Sequence, residues 1–192
     1  MHARLSYAAA ALLLLLPCLS IRAQELGLYN SPKGIGVQCA SGVRDGVFHT
    51  VTAFVDIYGV ATSRCQYPGY RFNASRLYVL RTISAGDVNM RIYAGPGVSA
   101  GYVHDHDKGR GIDITNLISD SPGGMLAVSG EAGCRFDFGR LVSLDLSFTA
   151  EAGAHIRHNR KETGYTAAYL SIYNNGLLQA FYPQLSIFFS LR

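Results

Sequence analysis

The stretch "LVSLDLSFTAEAGAHIR", residues 141–157, is two interleaved sequences. Alternate residues from Val142, through Leu144, Leu146, Phe148, Ala150, Ala152 and Ala154 to Ile156, are all apolar. The other set is Ser143, Asp145, Ser147, Thr149, Glu151, Gly153, His155 and Arg157. Successive side chains of an extended chain point to opposite sides, so this pattern predicts a β-strand with one oily and one polar face. In a water-soluble sheet the oily face packs on a core and the polar face meets solvent. In a membrane barrel the oily face meets lipid and the polar face lines the interior.

The same alternation recurs along the chain. Val47–Tyr58 sets Val51, Ala53, Val55 and Ile57 against Thr50, Thr52, Asp56 and Tyr58. Val88–Val103 separates Met90, Ile92, Ala94, Pro96 and Val98 from Asn89, Arg91, Tyr93, Gly95 and Gly97. Met125–Phe138 and Phe181–Arg192 behave likewise, and weaker signals over Gly34–Ser41, Arg76–Ile83 and Tyr165–Tyr173 bring the predicted strands to eight. Eight antiparallel strands make a small barrel whose interior is filled by side chains.

Hairpin turns predict register, because paired residues must point to one face. A three-residue turn at Gly139–Leu141 sets Phe138 opposite Val142, Asp137 opposite Ser143 and Arg135 opposite Asp145. Ser129 then faces Glu151. Asn175-Gly176 is a favoured two-residue turn and predicts a final hairpin aligning Tyr169 with Tyr182 and Ser171 with Ala180. Connections alternate in length: short near 42–46, 84–87, 139–141 and 174–176, longer at 59–75, 104–123 and 158–164. Outer-membrane barrels keep short turns and both chain ends on the periplasmic side, which eight strands beginning at Gly34 do not satisfy. Leu26–Asn30 as an extra short strand, one strand too many among the weaker signals, or an ordered outer hairpin within 158–180 would each restore the rule.

The first 23 residues read as a secretory signal peptide: Arg4, an apolar run from Ala8 to Leu16, then Pro17 to Ala23 ending in a small residue. The mature domain is expected to span 24–192. The apolar run is about half the roughly 20 residues a spanning helix needs. With 17 Lys+Arg against 13 Asp+Glu, and Arg4 and Arg22 in the removed segment, charge is nearly balanced, so nucleic acid is not an expected partner. Cys39, Cys65 and Cys134 show no metal-ligand spacing; two of them fall on the apolar side of predicted strands and read as small apolar packers, and no disulfide framework is expected.

The polar faces carry Asp56, Arg91, Glu131, Arg135, Asp137, Asp145, Glu151 and Arg157, acids and bases on neighbouring strands. These eight are the candidate site, an ion-pair network filling the lumen. Gly95, Gly97, Gly101, Gly133 and Gly153 fall on the same faces, as a crowded interior demands. Tyr78, Tyr102, Tyr165, Tyr169, Tyr173 and Tyr182 lie near strand ends, where an aromatic girdle would sit. "HDHDKGRG" at 104–111 reads as a solvated loop tip rather than a metal site. His155 is four residues from Glu151, on the order of 13 Å along a strand, so with Ser129 they form no hydrolytic triad.

The signal peptide, "GEAGCRFDFGRLVSLDLSF" and the last strand "FYPQLSIFFSLR" resemble the small outer-membrane β-barrels of the OmpA-domain and OmpX class over about residues 34–192. The chain ends Phe188-Phe189-Ser190-Leu191-Arg192, where that class typically ends on an aromatic residue. The resemblance implies an all-β, closed antiparallel eight-stranded transmembrane β-barrel in the outer membrane of a Gram-negative cell. The expected role is structural or surface-interactive, without catalytic residues, metal or cofactor. Expected partners are outer-membrane lipid, the barrel insertion machinery and an extracellular or envelope ligand held by the loops. A narrow pore for small solutes is the alternative, followed by a lipid-modifying enzyme.

Overall fold

Alternation in sequence becomes a single antiparallel sheet that curls until its edges meet. The computed structural model describes residues 23–61, 67–103, 123–160, 166–173 and 181–191. Strands β1 (Ala23–Ser31), β2 (Gly34–Ser41) and β3 (Val47–Val55) lead into a short helix, α1 (Ile57–Ala61). Then come β4 (Tyr70–Ala85), β5 (Val88–Val103), β6 (Gly123–Phe138), β7 (Val142–Arg160), β8 (Thr166–Tyr173) and β9 (Phe181–Ser190). Consecutive strands pair from β1 to β7, and β9 pairs with both β7 and β1, which closes the cylinder.

The β6–β7 hairpin has the register its turn predicts: Phe138 faces Val142, Asp137 faces Ser143, Arg135 faces Asp145 and Ser129 faces Glu151. The final hairpin does not form. β8 pairs with the far half of β7, from Gly153↔Tyr173 to Arg160↔Thr166, and β9 with its near half, from Ala150↔Phe181 to Val142↔Phe189. Both run antiparallel to β7, so they follow one another along a single edge as two segments of one stave. Tyr169 therefore faces Arg157 and Tyr182 faces Thr149, in place of each other; Ser171 faces His155, and Ala180 lies outside the described residues. A β8–β9 hairpin would have left the near half of β7 without a partner along that edge. Joining β9 to both β7 and β1 pairs their backbone groups and leaves the sheet without a free edge there.

The missing stave is β1, whose Glu25–Asn30 face Ser190–Leu185 of β9. Of the three ways to restore the alternating connections, the extra first strand is present, and the weak Tyr165–Tyr173 signal is one strand too many as a separate stave, because β8 shares its stave with β9. The start of β1 and the end of β9 share the terminal end of the barrel with the connections at 42–46, 86–87 and 139–141. The tight turn at Pro32-Lys33 lies at the opposite, loop end, where β3, β5 and β7 end and β4, β6 and β8 begin. β4 begins earlier than expected, at Tyr70, because Arg71, Asn73 and Ser75 continue the inward alternation.

Pairing is staggered around the cylinder. From Ser186 one route reaches β7 directly at Asp145; the other, through Tyr29, Gly36, Phe54, Arg71, Gly101 and Met125, arrives at His155, ten residues away. Such a shear tilts the strands, and with eight of them the interior is only as wide as side chains can fill. A Cβ at Gly133 would stand 2.6 Å from Ser147 Cβ and 2.7 Å from the Tyr93 hydroxyl, and one at Gly97 would stand 2.6 Å from the hydroxyls of Ser75 and Ser129. Cys39 corrects the expectation of simple packing: it is fully buried and disulfide-bonded, to a partner outside the described residues. Cys134 is free.

Candidate functional site

The inward faces bring charged and polar groups into three tiers along the barrel axis. Nearest the loop end, Lys33 leaves the β1–β2 turn and sends its side chain inward to Glu151 Oε2, which Arg71 Nη1 also reaches at 3.2 Å. All three side chains are buried. The Lys33 ammonium stands 4.2 Å from the centre of the Tyr182 ring, and Tyr29 packs on Phe54 at 5.1 Å.

In the middle tier, Asn73 Nδ2 donates to Ser99 Oγ at 2.9 Å and Ser129 Oγ at 3.3 Å, and its Oδ1 accepts from Ser75 at 2.8 Å. Gln184 Nε2 donates to Thr149, and Ser186 to Gln38 at 2.7 Å. Tyr93 lies between two carboxyl groups, its hydroxyl 2.6 Å from Asp145 Oδ1 and 3.3 Å from Glu131 Oε1. Its ring meets Phe48 edge to face, and with Leu77 they form a small apolar plug.

At the terminal end, Arg91 grips Asp137 through two hydrogen bonds, Nε to Oδ2 at 2.8 Å and Nη2 to Oδ1 at 2.6 Å, and Ser143 donates to the same Oδ1 at 2.8 Å. Arg135, almost wholly buried, donates from Nη2 to Glu25 at 2.5 Å and lies 4.1 Å over the Phe188 ring. Its Nε is 3.6 Å from Asp137 Oδ1 and makes no hydrogen bond. A polar cavity of about 760 Å³ opens below, bordered by Glu25, Arg91, Asp137 and Ser143.

Of the eight residues singled out in the sequence, Arg91, Glu131, Arg135, Asp137, Asp145 and Glu151 turn into the lumen together. Arg135 and Asp145 face each other in register, but the expected ion pair between them is replaced by Arg135–Glu25 and Tyr93–Asp145. Asp56 sits past the end of β3, at the rim, where its Oδ1 accepts the Gly59 N–H of α1 at 2.7 Å. Arg157 occupies the register position between Gly123 and Tyr169, and its side chain is outside those described. Tyr182, expected in the girdle, is buried in the lumen, whereas Tyr78 is exposed on the outer wall and Tyr70 and Tyr102 stack there at 6.0 Å. Tyr165 and residues 104–111 lie outside the described residues, as do the side chains of His155, Tyr169 and Tyr173.

Four lumen residues escaped the sequence reading: Glu25, Lys33, Arg71 and Tyr93 as a hydrogen-bond donor. Glu25, Gly27 and Tyr29 alternate with Leu26 and Leu28, and Arg71, Asn73 and Ser75 alternate with Phe72 and Ala74, so the signal for two of them was present in short segments. Lys33, in a turn, carries no such signal.

The outer wall is the chemical opposite. Leu28, Val98, Leu126, Val128, Leu146, Phe148, Phe181, Ile187 and Phe189 are exposed and contributed by five strands. The fold and this inverted distribution define a closed eight-stranded antiparallel barrel with a polar, filled interior. No protein-family model, curated protein or solved structure matches the chain.

Proposed function

We propose that the chain is an outer-membrane barrel with a structural or surface-interacting role, its lumen closed by the three polar tiers. The reading is carried by the contrast between the two faces. Each Leu, Val or Phe on the wall would gain about 1.5–3 kcal/mol by leaving water, yet this face carries them in a belt, while Lys33, Arg71, Arg91 and Arg135 are placed inside. In water that arrangement is inverted; in hydrocarbon it is the favourable one, since buried charges meet counter-charges and the wall meets lipid. Exposed apolar surface of this extent marks contact with lipid or another apolar partner. The likeness to the OmpA-domain and OmpX class and the predicted signal peptide support the same location, with the loop end outward, where ligands and partners would be met.

The test is membrane fractionation of cells expressing the full chain, followed by electrophoresis with and without boiling. Recovery with the outer membrane and a band that shifts on heating are expected. A freely soluble product, or migration indifferent to boiling, would overturn the reading. In planar bilayers the filled lumen should give negligible conductance.

A further inference from the structure

Two adjoining concavities on the terminal half of the outer wall have opposite chemistry and share two residues. One is a polar pocket of about 420 Å³ at the β2–β3 turn, bordered by Arg44, Asp45, His49 and Arg76. The other is an open groove of about 580 Å³ on the β3–β5 wall, which His49 and Arg76 also line, together with Val51, Ala74, Pro96 and Val98. His49 and Arg76 are directly paired across β3 and β4, one outward-facing step, or about 7 Å, from the Val47–Tyr78 pair at the start of β3. Arg76 lies 5.5 Å from the Tyr78 ring, and both are exposed. Among the described residues no carboxylate pairs with Arg44 or Arg76; Asp45 borders the same pocket without bridging to either.

We infer that this composite site holds one anionic glycerophospholipid of the leaflet at the terminal end, and the inference rests on the membrane reading above. Two guanidinium groups outweigh the one carboxylate and can share a phosphodiester, to which a His49 ring N–H can also donate. An arginine on a lipid-facing wall is costly at the bilayer centre but tolerated near the interface, where it reaches phosphate. The groove continues from the pocket along the wall, so a headgroup seated on Arg44 and Arg76 would lay an acyl chain over Val51, Ala74, Pro96 and Val98. The small side chain of Ala74, which faces outward, leaves the room for it.

Native mass spectrometry of the full chain in detergent, with phosphatidylglycerol and phosphatidylcholine supplied equally, tests the inference. Phosphatidylglycerol should be retained several-fold more, and R44Q/R76Q should lower it to the phosphatidylcholine level. Asp45→Asn should raise retention, Ala74→Phe should reduce it with both arginines in place, and excess glycerol 3-phosphate should not displace the lipid. Equal retention of both lipids by the unaltered chain, or a preference that survives R44Q/R76Q, would overturn the site alone, provided the band still shifts on heating. A chain that shows no heat shift and no membrane association would overturn the membrane reading and this site with it.

Discussion

Arg135 and Asp145 stand directly opposite on β6 and β7, yet each turns to a third strand: Arg135 to Glu25 on β1, Asp145 to Tyr93 on β5. A guanidinium on a long side chain chooses among every carboxylate within reach. In a narrow cylinder those lie across the axis as well as on the neighbouring strand. The network is thereby tied across the barrel rather than along one hairpin, and removing a member should be felt by strands that do not adjoin it.

Arg135→Met should destabilise the barrel by about 3 kcal/mol, because Glu25 loses its partner and a buried charge pair is broken from one side. The midpoint of urea unfolding in detergent reads this directly. Adding Glu25→Gln should return part of the loss, and a double variant no better than the single would show that the pair is not the cause.

Glu151 holds two cations, so Glu151→Gln should cost more than neutralising either of them alone, about 3–5 kcal/mol by the same measurement. Lys33→Met in the Glu151→Gln background should be stabilising, although it destabilises the unaltered chain. The reversal of sign is the outcome to look for.

Gly133→Ala should cost about 1–3 kcal/mol through overpacking, since the new methyl would meet Ser147 and Tyr93. Ser147→Gly removes the nearest obstacle and should return part of the stability lost in Gly133→Ala, the Tyr93 hydroxyl and the Leu146 carbonyl remaining close. Gly130, whose Cβ would meet nothing within 4 Å, serves as the control: Gly130→Ala should be harmless.

Val128→Arg places a charge on the outer wall near the middle of β6, and should cost about 2–4 kcal/mol if hydrocarbon bathes that face. Leu141→Arg, at the terminal-end turn, should cost about 1 kcal/mol or less. Folding into lipid vesicles measures both. Equal tolerance of the two arginines would point to water on the wall.

A planar bilayer containing the unaltered chain should pass almost no current, because Lys33–Glu151–Arg71 and Arg135–Glu25 close the lumen at two levels. Discrete steps whose size changes when Arg135 or Asp145 is neutralised would favour the narrow-pore alternative.

Alternation along 141–157, and the short turn before it, determined by themselves which side chains face inward on β7 and which residues of β6 they oppose. Both are local matters: the pleat has a period of two, and a three-residue turn leaves no freedom to slip. Closure was decided elsewhere. That β1 rather than β8 supplies the missing stave, and that β8 and β9 share one edge of β7, depends on two distant edges finding each other. β8 and β9 do not pair with each other, so the register that Asn175-Gly176 predicts locally is replaced by one that both strands make with β7. The partners of each charge were likewise settled only by the closed and staggered cylinder, which brings Glu25 to Arg135 and Lys33 to Glu151 from strands more than a hundred residues apart. Sequence periodicity sorts side chains to a face; only the curvature of the sheet determines which of them meet across it.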